Sequence, residues 1–204
     1  MILVGRDLEK LKQVKKEAQT IGSSNVEIYS VDLSNPKQIN DFVKNLTKID
    51  GIINNAGIWQ KKTDLDKISD EEIIAVLNTN LTGMVLLTKK VLPLLRKAPE
   101  AFIVNISSRS GWFPDVGQSV YAASKYGVRG FTEVLRIDLK ETNIRVAGIY
   151  QGGTNTGFFT RAGEDWPAEK LASFIPPSQL AQVITFLITR PLGIWLPEIR
   201  IEKN

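Results

Sequence analysis

Residues 101–149 read AFIVNISSRSGWFPDVGQSVYAASKYGVRGFTEVLRIDLKETNIRVAGI. Residues 101–106 form a nearly continuous apolar run, the pattern of a strand covered on both faces. A helix is predicted over 121–141, and apolar, β-branched residues 144–149 return to strand. Gly111, Pro114 and Gly117 suit a loop between the first strand and the helix. Strand, crossover helix and strand in this order imply parallel pairing. The same alternation extends outward. A strand at 2–4 precedes a helix at 7–21, where Leu8, Leu11, Val14, Ala18 and Ile21 share a face and Gly22 supplies a stop. A strand at 26–31 leads to a helix capped by Ser34, with Pro36 in its first turn, running to about 46. A strand at 51–53 ends in Asn54-Asn55-Ala56-Gly57. Helices follow at 70–78 and 82–97, the second kinked by Pro93, then a helix at 179–189 and a last strand at 194–201. The expected class is α/β, a doubly wound parallel sheet with helices on both faces, in one domain spanning 1–204.

Composition narrows the chemistry. Of 204 residues, 43% are hydrophobic and 24% charged, ordinary for a globular chain. Cysteine and histidine are both absent. That excludes disulfides and thiolates, removes the commonest general base and the commonest metal ligand, and leads us to expect no metal site. Proton transfer near pH 7 must fall to Tyr, Lys, Asp or Glu. The net charge is +4, but the charges interleave, as in Lys61, Lys62, Asp64, Asp66 and Lys67. A mixed solvated surface is expected, with no nucleic-acid partner. No apolar run approaches the roughly 20 residues of a membrane span, so no membrane partner and a cytoplasmic location are expected.

Ligands of parallel sheets bind outside the carboxyl ends of the strands. Arg6, Asp32, Asn54, Ser107, Ser108 and Gly152 each follow a strand. Within Tyr121-Ala-Ala-Ser-Lys125, residues four apart share a helix face, and an ammonium beside a phenol lowers its pKa towards neutrality. Tyr121 thereby becomes an acid/base candidate, with the Ser108 hydroxyl beside it to hold a carbonyl oxygen. Tyr-x-x-x-Lys alone would arise by chance about 0.3 times in such a chain, and about 0.02 times with a serine 13 positions earlier. The set carries the inference, not the pair.

Asn54-Asn-Ala-Gly57, Asn78-Thr-Asn80-Leu-Thr-Gly83, Asn105-Ile-Ser-Ser108, Tyr121-Ala-Ala-Ser-Lys125 and Gly152-Gly-Thr-Asn-Thr156 resemble, in order and spacing, the short-chain dehydrogenase/reductase family. The resemblance covers nearly the whole chain and implies a Rossmann-like fold. It implies Tyr121 as acid/base, Lys125 as the residue that lowers its pKa and holds the nicotinamide ribose, Ser108 as orienter of the carbonyl or alcohol, and Asn80 as support for a water-mediated proton path. Asn80 read without the family is a side chain bonding helix backbone. For the cofactor, the resemblance implies Arg6, Asp32, Leu33, Asn54, Ala56, Gly57, Ile106, Tyr121, Lys125, Gly152, Thr154 and Thr156. Asn54 could equally belong to a plain turn, and Asp32 could be a turn carboxylate. Where the family usually has Pro-Gly, this chain has Gln151-Gly152. Arg6 suits a 2′-phosphate better than a 2′-hydroxyl, so NADP(H) is expected over NAD(H), the alternative being a solvent-facing arginine. For the substrate, Ser108, Trp112, Phe113 and Phe158 are the candidates. Residues 157–176 are expected to form a substrate lid, with lid packing an equal reading of the aromatics.

The family's glycine-rich phosphate loop does not occur in these 204 residues. The chain reads as if the first strand and first helix of the family's unit were absent, with the missing strand between those starting at Ile2 and Gly51. The expected activity is reduction of a small-molecule carbonyl by NADPH, or the reverse alcohol oxidation. The alternative is a non-catalytic dinucleotide-sensing or scaffold protein. A homodimer or homotetramer is implied by the family, through the helices at 82–97 and 121–141. Leu86, Leu87 and Leu94 belong either to that interface or to the monomer core.

Overall fold

The computed structural model of the chain describes residues 1–191 and 193–203. In chain order the main elements are β1 (Ile2–Gly5), α1 (Leu8–Thr20), β2 (Glu27–Ser30), α2 (Pro36–Lys44), β3 (Gly51–Asn54), α3 (Asp70–Leu77), α4 (Gly83–Leu95), β4 (Ala101–Ile106), α5 (Ser119–Asp138), β5 (Ile144–Gln151), α6 (Ala168–Ala172), α7 (Pro177–Ile188) and β6 (Glu198–Ile201). Local chemistry sets most boundaries. The Asp7 carboxylate accepts the Lys10 N–H at the start of α1, and Gly22, at φ 105°, follows its end. The cap of α2 is Asn35, not Ser34: its side-chain oxygen accepts from the N–H groups of Lys37 and Gln38. Ser34 is unavailable because its own N–H and hydroxyl both donate to Asp32. Between α3 and α4 the helix continues without a break through one π-turn, Asn78–Thr82. The final strand is shorter than the apolar run suggests, because Trp195 leaves the ladder and donates its indole N–H to the Val146 carbonyl.

Every ladder is parallel. Strands β3-β4-β5-β6 form one sheet and β1-β2 another. Asn54 lies opposite Asn105, and Asn105 opposite Gly148, so the carboxyl ends of β3, β4 and β5 align. Side chains alternate across the larger sheet as the pleat requires. Ala101, Ile103, Ile144 and Val146 join Leu87, Val91 and Leu95 of α4 on one face. Val104, Ile106, Ala147 and Ile149 meet Leu180 and Leu187 of α7 on the other. Helices thus cover both faces, and Leu87 belongs to the monomer core.

Among the described residues, no hydrogen-bonded ladder joins β1 to β3. Ile2 and Val4 of β1 nevertheless pack on the same apolar cluster as Ile52 of β3. The two sheets are joined by side-chain packing and by the turn after β2. That turn explains Gly83: a Cβ there would stand 2.0 Å from the Leu33 carbonyl oxygen and 3.1 Å from that of Asn78. Both obstacles are backbone, so Gly83→Ala is expected to destabilise the chain by about 3 kcal/mol, measured as a fall in urea midpoint with unchanged slope. Among the described residues, no helix is long and apolar enough to cross a membrane.

Candidate active site

The aligned carboxyl ends open into a cavity of about 900 Å³. Its floor comes from the turns after three strands: Asn55 to Gly57 after β3, Ser107 and Ser108 after β4, and Gln151 to Thr154 at the end of β5. Tyr121 and Lys125 enter it from the first turns of α5, one turn apart as their spacing requires. Ser108 caps the short 3₁₀ turn Arg109–Gly111, accepting the Ser110 N–H at 3.1 Å. Its hydroxyl also stands near enough to the Tyr121 phenol to pull its pKa down. The return of the loop onto the helix requires Gly111, where a Cβ would lie 2.8 Å from the Lys125 carbonyl oxygen.

The electrostatics correct one expectation. Burial pushes the Tyr121 phenol up to about 12, against a smaller downward pull from Ser108. Burial likewise pushes Lys125 down to about 8. The lysine's Nζ lies 5.7 Å from the Tyr121 ring centroid and donates to the Ile106 carbonyl at 3.3 Å. Desolvation disfavours both ions and here outweighs their attraction, so Tyr121 is a neutral phenol at pH 7, the form that donates a proton.

Asn80 is 1% exposed. Its carboxamide grips the backbone of Ile58 twice, accepting the N–H at 2.7 Å and donating to the carbonyl at 2.9 Å, and it also donates to Ser124 Oγ at 3.2 Å. The π-turn at 78–82 delivers this side chain. Asn80 does bond backbone, in the turn after β3 and not in a helix.

The residues expected around a cofactor divide into two groups. Ala56, Gly57, Ile106, Gly152, Thr154 and Thr156 line the cavity with Tyr121 and Lys125. Asn54 does not. It is buried in the sheet, donating to Thr88 at 3.0 Å and to Asn105 at 2.8 Å, while Asn105 donates to Thr132. This polar chain runs from α4 through β3 and β4 to α5. Arg6, Asp32 and Leu33 also lie outside the cavity. Arg6 is exposed, and Asp32 closes a turn by accepting from Ser34. Of the substrate candidates, Ser108 and Phe158 line the cavity, and Trp112 and Phe113 do not. Trp112 is clamped outside, with the guanidinium of Arg129 3.4 Å and that of Arg200 3.0 Å from its ring centroid. Phe113 is 54% exposed.

Two residues escaped the sequence reading. Trp59 sits edge-on to Tyr121, ring centroids 4.5 Å apart, and donates its indole N–H to Glu164. Gln60, fully buried, accepts the Tyr121 N–H at 3.3 Å and donates to the carbonyls of Lys61 and Gly117. The residue at the helix start, Gln118, makes no side-chain cap bond and accepts from Ser110 instead. Gln60 therefore does a cap's work from 61 positions away in the chain, and no local signal announces that. Trp59 also contacts Phe158 and Phe159, and Phe159 meets Trp166 and Phe174, so an aromatic cluster lines the cavity beside Tyr121.

Residues 1–166 match the short chain dehydrogenase family. The chain is 31% identical to the NADP-dependent 3-hydroxy acid dehydrogenase YdfG of Escherichia coli O6:H1, over 95% of this chain and 81% of that protein. It is 34% identical to the 3-oxoacyl-[acyl-carrier-protein] reductase FabG of Thermotoga maritima, over 88% and 76%. Among solved structures, the closed form of serine dehydrogenase complexed with NADP+ superposes with a TM-score of 0.88 at 30% identity, over 98% of this chain and 83% of that one.

Proposed function

Because this chain belongs to the short-chain dehydrogenase family, we propose that it is an NADP(H)-dependent oxidoreductase that interconverts a small carbonyl compound and its alcohol. The observation that carries this reading is the meeting of Ser108, Tyr121 and Lys125 in one cavity at the strand ends.

The residues fit the nicotinamide end of such a cofactor. Gly57 leaves space beside Lys125, since a Cβ there would lie 3.7 Å from its Nζ and 3.2 Å from Asn80 Oδ1. Gln151 Oε1 is buried with no hydrogen-bond partner among the described residues. Gly57, Lys125, Thr154 and Thr156 would hold that end of the molecule. When bound, the dinucleotide supplies or accepts the hydride at the carbonyl carbon. The rest falls to the chain. Ser108 holds the carbonyl oxygen against Tyr121, whose phenol gives its proton to that oxygen in reduction and recovers it in oxidation. Lys125, held down to about 8 by burial, can reload the phenol near neutral pH. Trp59 and the aromatic residues of 157–176 act as a lid that keeps water from the reacting carbon.

NADP over NAD is supported by Arg6, which follows β1 at the sheet's carboxyl edge, and by the cofactor in the relatives' names. Titrating the 204-residue chain with NADPH and following nicotinamide fluorescence tests the reading. Arg6→Ala is expected to weaken NADPH by about tenfold, as for loss of one charge-assisted hydrogen bond, and to leave NADH almost unchanged. Equal loss of both would reject Arg6 as the 2′-phosphate residue. Val134 and Ile137 lie exposed on α5 and support pairing of that helix with a second copy.

A further inference from the structure

Resting on that reading of the site, we propose that Arg161 determines substrate specificity and that the substrate is an organic acid anion, its carboxylate on Arg161 and its hydroxyl or carbonyl between Ser108 and Tyr121. Arg161 lines the cavity. Its guanidinium folds back on the chain, so that a Cβ on Gly157 would lie 3.4 Å from an Arg161 Nη atom. The next residue, Phe158, has its ring centroid 6.3 Å from that of Tyr121. The guanidinium, Ser108 and Tyr121 thus line one and the same cavity.

The charge is also uncommitted. Arg161 forms no ion pair among the described residues, whereas Arg109, the other arginine lining the cavity, is held by Asp115 and Glu202 at 3.4 Å each. Of the three acids in the same segment, Glu164, Asp165 and Glu169, Glu164 accepts from Trp59 and none pairs with Arg161 among the described residues. The cavity holds a second donor. Trp166 lines the same cavity, and its indole N–H is buried without an acceptor among the described residues. A buried donor left unpaired destabilises the fold, so a ligand oxygen there removes a defect. A carboxylate satisfies both groups, the guanidinium fork taking its oxygens in pairs and the indole one further lone pair. A neutral ketone or ester draws nothing from the guanidinium charge.

The test uses the 204-residue chain with NADP+ and two alcohols, 3-hydroxybutyrate and its uncharged methyl ester, followed as NADPH formation. The wild type is expected to prefer the anion. Arg161→Gln should lower the ratio of kcat/KM for acid over ester by about 10–100-fold, the scale of a lost charged hydrogen bond, chiefly through KM for the acid. Arg161→Lys should recover part of the ratio. An unchanged ratio, or a loss in NADP+ affinity that accounts for the whole effect, overturns the proposal. A binding arm needs no turnover: butyrate and butyramide titrated against tryptophan fluorescence, which Trp59 and Trp166 report from the cavity wall. Butyrate should bind the wild type and not Arg161→Gln, and butyramide neither. Equal butyrate binding by both proteins overturns the inference. Selective butyrate binding without oxidation of either alcohol leaves it standing and rejects the oxidoreductase reading instead.

Discussion

Replacing Tyr121 by Phe is expected to lower NADPH-dependent carbonyl reduction by about a thousandfold, while fold and NADPH affinity stay within experimental scatter. The size follows from what a positioned general acid contributes, roughly 10²–10⁴-fold. The selectivity follows from what the hydroxyl touches. The hydroxyl is influenced by Ser108, whereas the ring's contacts with Trp59 and Phe158 survive in phenylalanine. The Tyr121 N–H that Gln60 holds is backbone and is untouched. Turnover, thermal melting and NADPH titration on the same preparation decide the matter. Retention of a tenth or more of the activity would remove Tyr121 from its role as proton donor.

Lys125→Met should produce a protein that is inactive and, at pH 7, more stable than its parent. The folded-state pKa of Lys125, about 8, lies below its ordinary 10.5. The native state therefore binds this proton less tightly than the unfolded chain does. The resulting penalty is complete below about pH 8, shrinks as pH rises from 8 to 10.5, and vanishes above. Its ceiling is about 3 kcal/mol, and losing the bond to the Ile106 carbonyl returns about 1 kcal/mol. The variant should gain about 2 kcal/mol in urea unfolding at pH 7, and the gain should fade by pH 10.5. A variant no more stable than wild type at pH 7 would mean that the buried ammonium is not a burden on the fold. Retained turnover would mean that it is not part of the proton path. Both results together would describe a lysine kept for packing alone. The expected outcome is a charge carried at a cost to stability because the chemistry uses it.

Much of the architecture was legible because it is local. Apolar runs and helical periods depend on neighbours two to four residues apart, so the parallel α/β order was readable and β4 was read to the residue. Tyr121 and Lys125 share a helix face for the same reason. Ser108 was reachable because a strand end and the next helix start must approach in a βαβ unit. The failures are equally physical. Ser34 looks like a cap until Asp32 claims it. Trp112 looks like a pocket residue until Arg129 and Arg200 clamp it from two distant elements. Asn54 belongs to a motif that suggests a ligand, yet its amide is spent between Thr88 and Asn105, 34 and 51 positions away.

The amino-acid sequence by itself determined the parallel α/β class and the order of the elements, and it singled out Ser108, Tyr121 and Lys125 as the proposed proton-transfer residues, since each follows from spacing along the chain. Tertiary structure alone decided their working state. Burial, which no sequence pattern measures, keeps Tyr121 protonated and Lys125 near neutrality. It also brought Trp59 and Arg161 to the same cavity and Gln60 to the backbone of Tyr121, from segments that carry no periodic signal, because their positions depend on packing across the sheet ends and not on the residues beside them.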